Sequence, residues 1–210
     1  MTEITAPRSG RRAQAARNDQ AILDAARVVF LRDPNAPIAS VADVAGVGVG
    51  ALYRRYPSKD VMLQTLCADG LAQFCAIAEA ALANDDPGEA LAGFIAGIVD
   101  ADVHSLTVHL AGTFTPTPAM RELAERSNKL AERLLRRARA ARAIRDDVHL
   151  ADIVMIFEQL AAVRLGDAER NRALRRRYLA VHLDGLRPDA PTPLPGRAPT
   201  AEEMSRRWRA

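Results

Sequence analysis

The sequence predicts an all-α protein in two parts, a short N-terminal three-helix unit and a longer helical body. Three observations carry that reading. Apolar residues recur three or four positions apart in successive segments from Ile22 to Leu186, the spacing that lines one face of a helix. Those segments are separated by Asp33-Pro34-Asn35, Asn84-Asp85-Asp86-Pro87-Gly88 and Thr115-Pro116-Thr117-Pro118, where proline and short polar side chains interrupt helices. Between Ile38 and Leu63, two short helical patterns meet at Ala45-Gly46-Val47, and a further helix opens at Pro57-Ser58-Lys59. The chain divides on these grounds into 1–17, 18–63, 64–186 and 187–210.

Residues 1–17 carry Arg8, Arg11, Arg12 and Arg17 against one acid, Glu3, without apolar periodicity. They read as a basic, disordered arm, either a solvated tail or one that enters a DNA minor groove. A first helix is expected from Asn18 to Leu31, with Ile22, Ala26, Val29 and Phe30 as its buried stripe. Ile38, Val41, Ala42 and Ala45 then recur at helical spacing, and Gly46 supplies the backbone freedom of a tight turn. Beyond the turn, Val47 and Leu52 can pack back on Val41. Gly48, Val49, Gly50, Ala51, Tyr53, Arg54 and Arg55 are left to cover the outward surface, first small and then basic. Such a helix can approach a major groove closely, with the basic residues behind it reaching phosphates. Lys59 falls in the first turn of the next helix, where free N–H groups and the helix dipole favour an anion.

The string AGVGVGALYRRYPSKDVML resembles the DNA-binding segment of TetR-type (tetracycline-repressor-like) bacterial transcriptional regulators, whose pattern is roughly A-G-V-S-x-G-T-L-Y-x-H-F-x-S-K-E-x-L. The resemblance implies a helix-turn-helix DNA-binding domain over 18–63. It also implies a ligand-binding and dimerisation body over 64–186, pairing through its last helices on a pseudo-palindromic operator. Polar contacts usual in the family are missing. Pro37 stands where Thr is usual, and Gly48, Val49 and Ala51 stand where Ser, Lys and Thr are frequent. A helical ligand-binding or scaffolding dimer without specific DNA binding is therefore the competing expectation.

A long helix should run from Ser58 to Ala83 with Val61, Leu66, Leu71, Phe74, Ala78 and Leu82 apolar, and another from Pro87 to Asp102. Gly93 and Gly97 weaken the latter by about 1 kcal/mol each relative to alanine, so close helix packing or a cavity must need the space. His104 to Phe114 is apolar but irregular. Pro118 to Ile144 carries Leu123, Leu130, Leu134 and Leu135 on one side, with its arginines on a solvated face opposite Glu122, Glu125 and Glu132. The helices Asp147–Leu165 and Ala168–Leu186 are apolar over more of their circumference than one core face requires. The expected dimer interface is accordingly Ile153, Ile156, Leu160, Tyr178, Leu179 and Leu183. A mainly aliphatic ligand pocket is expected from Phe94, Ile98, Leu106, His109, Leu110, Phe114, Leu123 and Phe157, suited to a small apolar or amphipathic molecule. After a proline-rich linker from Arg187, a capping box at Thr200–Glu203 opens a short amphipathic helix with Met204 and Trp208 four apart.

Of the 29 basic and 26 acidic residues, nine and six fall within residues 1–60, leaving twenty of each in the rest, so the net charge of +3 sits in the N-terminal unit, where a DNA-binding end is expected. No apolar run of about 18 residues or signal-peptide core stands out, which predicts a cytoplasmic protein without a membrane span. Cys67 and Cys75 are too far apart along one helix for a disulfide and should be core thiols. His104, His109, His149 and His182 do not combine with them at metal-ligand spacing, and no phosphate loop or nucleophile elbow occurs. No cofactor, metal or catalytic activity is expected.

Overall fold

The computed structural model describes residues 8–189 and 192–206, which form ten helices: α1 (Arg8–Arg32), α2 (Ala39–Ala45), α3 (Val49–Arg55), α4 (Lys59–Leu82), α5 (Pro87–Asp100), α6 (Val103–Leu110), α7 (Pro118–Ala140), α8 (Leu150–Ala161), α9 (Ala168–Gly185) and α10 (Ala201–Ser205). The chain divides between Leu66 and Cys67 into two compact units, a head and a body. The disordered arm expected over 1–17 is corrected from Arg8 onward. Alanine, arginine and glutamine between Arg8 and Arg17 propagate the first helix well without an apolar stripe. The remainder of that arm, and Trp208, lie outside the described residues.

The head packs α2 against α1 and α3. Ile22, Ala26 and Phe30 from α1 are buried with Ile38, Val41 and Ala42, with Leu52 and Tyr56, and with Met62 and Leu63 from the start of α4. Gly46 closes α2 at φ 66°, its N–H reaching the carbonyls of Ala42 and Asp43.

In the body, helix ends follow local capping chemistry. Asp86 accepts hydrogen bonds from the N–H groups of Gly88 and Glu89 at 2.8 and 2.9 Å, with Pro87 as the first residue of α5. Thr117 and Pro118 start α7 in the same way, and Asp167 starts α9. Asp102, at φ 51°, reverses the chain sharply into α6, a short helix within the stretch whose apolar pattern is irregular. The core gathers Phe94, Ile95, Ile98, Leu134, Leu135, Ile153 and Phe157. Phe94 meets Phe74 and Phe157 edge to face, with centroids 5.2 and 6.3 Å apart.

Gly97 is explained by packing: a Cβ there would lie 2.8 Å from Ile77 Cγ2, inside α4 contact distance. α4 also corrects the expectation about apolar runs. Its 24 residues contain an 18-residue window of mean hydropathy 1.4, long and apolar enough to cross a membrane. Met62, Leu63, Leu66, Cys67, Cys75 and Ala78 on this helix are nevertheless buried in protein. Both cysteines are free thiols, and burial raises the pKa of Cys75.

Candidate nucleic-acid interface and body cavity

The outward surface of α3 is built by its buried one. Leu52 is fully enclosed and fixes the helix against α2, which turns Gly48, Val49, Gly50, Ala51, Tyr53 and Arg54 outward. Val49 is 42% and Tyr53 45% exposed, so an apolar and a phenolic side chain stand side by side with backbone that a Cβ-free approach leaves open. A Cβ at Gly48 or Gly50 would meet no atom of the protein within 4 Å. The glycines at these two positions thus answer no internal packing need.

Two of the expected phosphate contacts behind this face, Arg55 and Lys59, are engaged inside the head. Arg55 pairs with Asp19 of α1 at 2.7 Å. Lys59 Nζ donates to the Pro34 carbonyl at 2.7 Å and lies 5.4 Å from the Phe30 ring centroid. Lys59 therefore ties the α1–α2 connection to the start of α4, and its half-buried ammonium is turned toward protein. Ser58 caps that start, its Oγ accepting from Val61 N–H at 3.2 Å. Arg54 makes no ion pair among the described residues.

The body contains a cavity of about 920 Å³, within the range that holds small molecules. Leu71 and Phe74 of α4, Val103 and His104 of α6, Met120 and Ala124 of α7, and Leu150, Val154 and Phe157 around α8 form its apolar walls. Arg121, Lys129 and Arg136 line it from exposed positions, while Glu132 and Glu158 do so from half-buried ones.

Of the eight residues expected to line a pocket, Phe157 alone does so here. Phe94, Ile98, Leu106 and Leu110 are enclosed in the core, and Phe114 is buried as well. Leu123 is half-buried outside the cavity lining, its carbonyl 4.0 Å from Cys75 Sγ. His109 Nδ1 lies 3.0 Å from the Ser105 carbonyl and 3.3 Å from the Arg164 guanidinium. Ile98 and Phe157 also border a separate void of about 10 Å³, room for one water at most. The lining residues that sequence reasoning missed did carry a signal. Leu71 and Phe74 fall in the apolar pattern of α4, and Val154 in the broad stripe of α8, but nothing in either pattern marks a cavity edge.

Two family models match the chain. Residues 22–66 match the family described as bacterial regulatory proteins, tetR family, and residues 86–188 match the C-terminal domain of SbtR-like transcriptional regulators. The chain belongs to the TetR family. Solved structures agree with this assignment over nearly their whole length. The TetR transcriptional regulator SCO0520 from Streptomyces coelicolor is 28% identical, covering 80% of this chain and 98% of its own, with a TM-score of 0.55. A TetR regulatory protein from Mycobacterium vanbaalenii is also 28% identical, covering 84% and 98%, with a TM-score of 0.56. The TetR-like regulator LfrR from Mycobacterium smegmatis, crystallised with proflavine, shares the fold at 24% identity, with coverage of 80% and 96% and a TM-score of 0.56. No curated protein matched.

Membership makes this chain a DNA-binding transcriptional regulator rather than an enzyme, with the helix-turn-helix of α2 and α3 as its family DNA-binding element. The body requires a correction to the expected subunit contacts. Ile153, Ile156, Leu160 and Leu179 lie in the core of the body itself. The apolar circumference of α8 is broad because α5, α6, α7 and α9 all pack on it within one chain. Leu183 is half-buried against the same core, and of the six expected interface residues Tyr178 alone is exposed.

Proposed function

We propose that this TetR-family regulator is a homodimeric repressor, released from a pseudo-palindromic operator when a small apolar or amphipathic molecule occupies the body cavity. The cavity is the observation that carries the ligand part of this reading, because its volume and apolar walls suit such a molecule. α4 supports the coupling: one helix carries Lys59 at its first turn and the cavity residues Leu71 and Phe74 farther along. For the dimer, support comes from Tyr178 and Val181, three residues apart on α9 and 45% and 65% exposed, and from Leu165, 80% exposed just before that helix. A two-fold dimer presents two equal reading helices, hence two related half-sites. Gly48, Val49, Gly50, Ala51, Tyr53 and Arg54 would face the bases and phosphates of each. Arg55 and Lys59 would join them only by leaving Asp19 and Pro34. A regulator that binds the chromosome in this way would work in the cytoplasm.

The test combines two titrations. Duplex DNA flanking the protein's own gene should bind with nanomolar to ten-nanomolar affinity in moderate salt, and random duplex at least about a thousandfold more weakly. A metabolite found by thermal-shift screening should lower operator affinity, and operator should lower metabolite affinity by the same factor. Equal metabolite affinity with and without operator would refute ligand release.

A further inference from the structure

The family model for the body ends at residue 188, so the chain from Asp189 onward lies beyond what that model describes. This segment begins with DAPTPLPGRAPT, whose prolines favour an extended chain. Its described part is fastened to the body beside the end of α9. Asp147 Oδ2 accepts the Leu194 N–H at 2.9 Å, and Arg145 Nη2 donates to the Thr192 carbonyl at 2.5 Å. Arg145 and Asp147 also grip each other through two bonds of 2.6 and 2.9 Å, which holds the Asp147 carboxyl well below the usual carboxylate range. Arg145 donates to the Gly185 carbonyl as well, so one clasp holds the end of α9 and the segment that follows it.

Past the clasp, α10 returns to the cavity. Ala201, Met204 and Ser205 line it, and among the described residues no other part of the segment does so. The walls are unequal. α4, α6, α7 and α8 each contribute fully buried or nearly buried residues to the body, whereas α10 contributes none. Its five residues are too few to hold a helix by propagation. What shapes it is the local Thr200–Glu203 box, in which Glu203 Oε2 accepts the Thr200 N–H at 2.7 Å and Thr200 Oγ1 accepts the Glu203 N–H at 3.2 Å. A wall without core residues opens at lower cost than the four that are anchored, and a short tether returns it promptly.

We infer that α10 is a tethered lid over the body cavity, with Met204 as its apolar contact, and that a ligand enters and leaves by its displacement. This rests on the cavity being the ligand site. It assigns to the segment after α9 a control of ligand residence time that the family body does not require.

The test uses the neutral apolar fluorophore N-phenyl-1-naphthylamine with three proteins: the full chain, the full chain carrying Met204→Asp, and a chain ending at Pro195, which keeps the clasp intact. Release measured by stopped-flow dilution should quicken about tenfold in the shortened chain and several-fold in Met204→Asp, with a smaller change in the association rate. In the full chain, amides of residues 201–205 should gain protection from hydrogen exchange when the probe is added. Release rates equal within twofold, or slower release from the shortened chain, would overturn the lid while leaving the cavity as a binding site. Absence of saturable binding by all three proteins would remove the cavity reading and the lid with it.

Discussion

The head and the body divide their apolar residues differently. In the head, a buried Leu52 faces one way and exposed Gly48, Val49, Gly50 and Ala51 face the other, so each residue on a seven-residue helix has a single assignment. In the body, α8 is apolar nearly all round and one chain uses almost all of it, on α5, α6 and α7 on some sides and α9 on another. Width of an apolar stripe therefore counts helical neighbours without saying whose they are. In a two-layer head such a stripe marks the core; in a bundle it cannot separate a second neighbour in the same chain from a second subunit.

The largest effect that would sharpen this contrast is loss of the aromatic centre of the body. Phe94→Ala removes a fully enclosed ring from between Phe74 and Phe157 and should lower stability by about 3–5 kcal/mol, seen as an earlier thermal transition. A loss below about 1 kcal/mol would mean the body is far looser than its packing implies.

Next, Tyr178→Asp with Val181→Asp alters the exposed edge of α9 and leaves the core intact. Sedimentation should show monomers with near-normal helicity, an interface loss of about 2 kcal/mol or more. An unaltered dimer would place the subunit contact elsewhere.

Val49→Asn exchanges a side chain that can meet only the thymine methyl for one that can bond adenine, and site selection should move one position of each half-site from T toward A by about 1–3 kcal/mol. An identical preferred sequence would show that Val49 does not face bases.

Gly46→Ala probes backbone alone, because a Cβ at this position meets nothing within 4 Å while φ is +66°. About 1–2 kcal/mol should be lost, all of it conformational strain in the head.

The smallest effect concerns Asp19→Asn. The Asp19–Arg55 pair is largely exposed and stabilises little, so the melting temperature should hardly move. Freed of its partner, Arg55 should deepen the salt dependence of DNA binding by up to about one log–log unit and raise affinity a few-fold. An unchanged salt slope would leave Arg55 outside the DNA contact.

The turn at Gly46, the helix breaks at Asp33-Pro34-Asn35 and Thr115–Pro118, and the capping box at Thr200–Glu203 were legible because each depends on residues adjacent in the chain. Even Arg8–Arg17, read as an arm, erred by the same logic: a helix continued by good helix formers leaves no periodic trace. The cavity was not legible. Phe74, Val103, Met120 and Val154 border it from four helices, and each is an ordinary apolar residue within its own segment. Arg55 and Lys59 were read as phosphate contacts, whereas their partners within the chain, Asp19 and Pro34, are 36 and 25 positions away and leave no local trace.

Those two internal engagements bear on how the protein finds its target. With Arg55 paired to Asp19 and Lys59 turned to a carbonyl and a ring, Arg54 is the α3 cation without an ion pair among the described residues, so α3 and the start of α4 should grip random duplex weakly. Encounters that offer only backbone charge should be brief, allowing rapid sampling of the chromosome. A matching site that holds the helix long enough for Arg55 to exchange its carboxylate for a phosphate would convert a passing visit into residence.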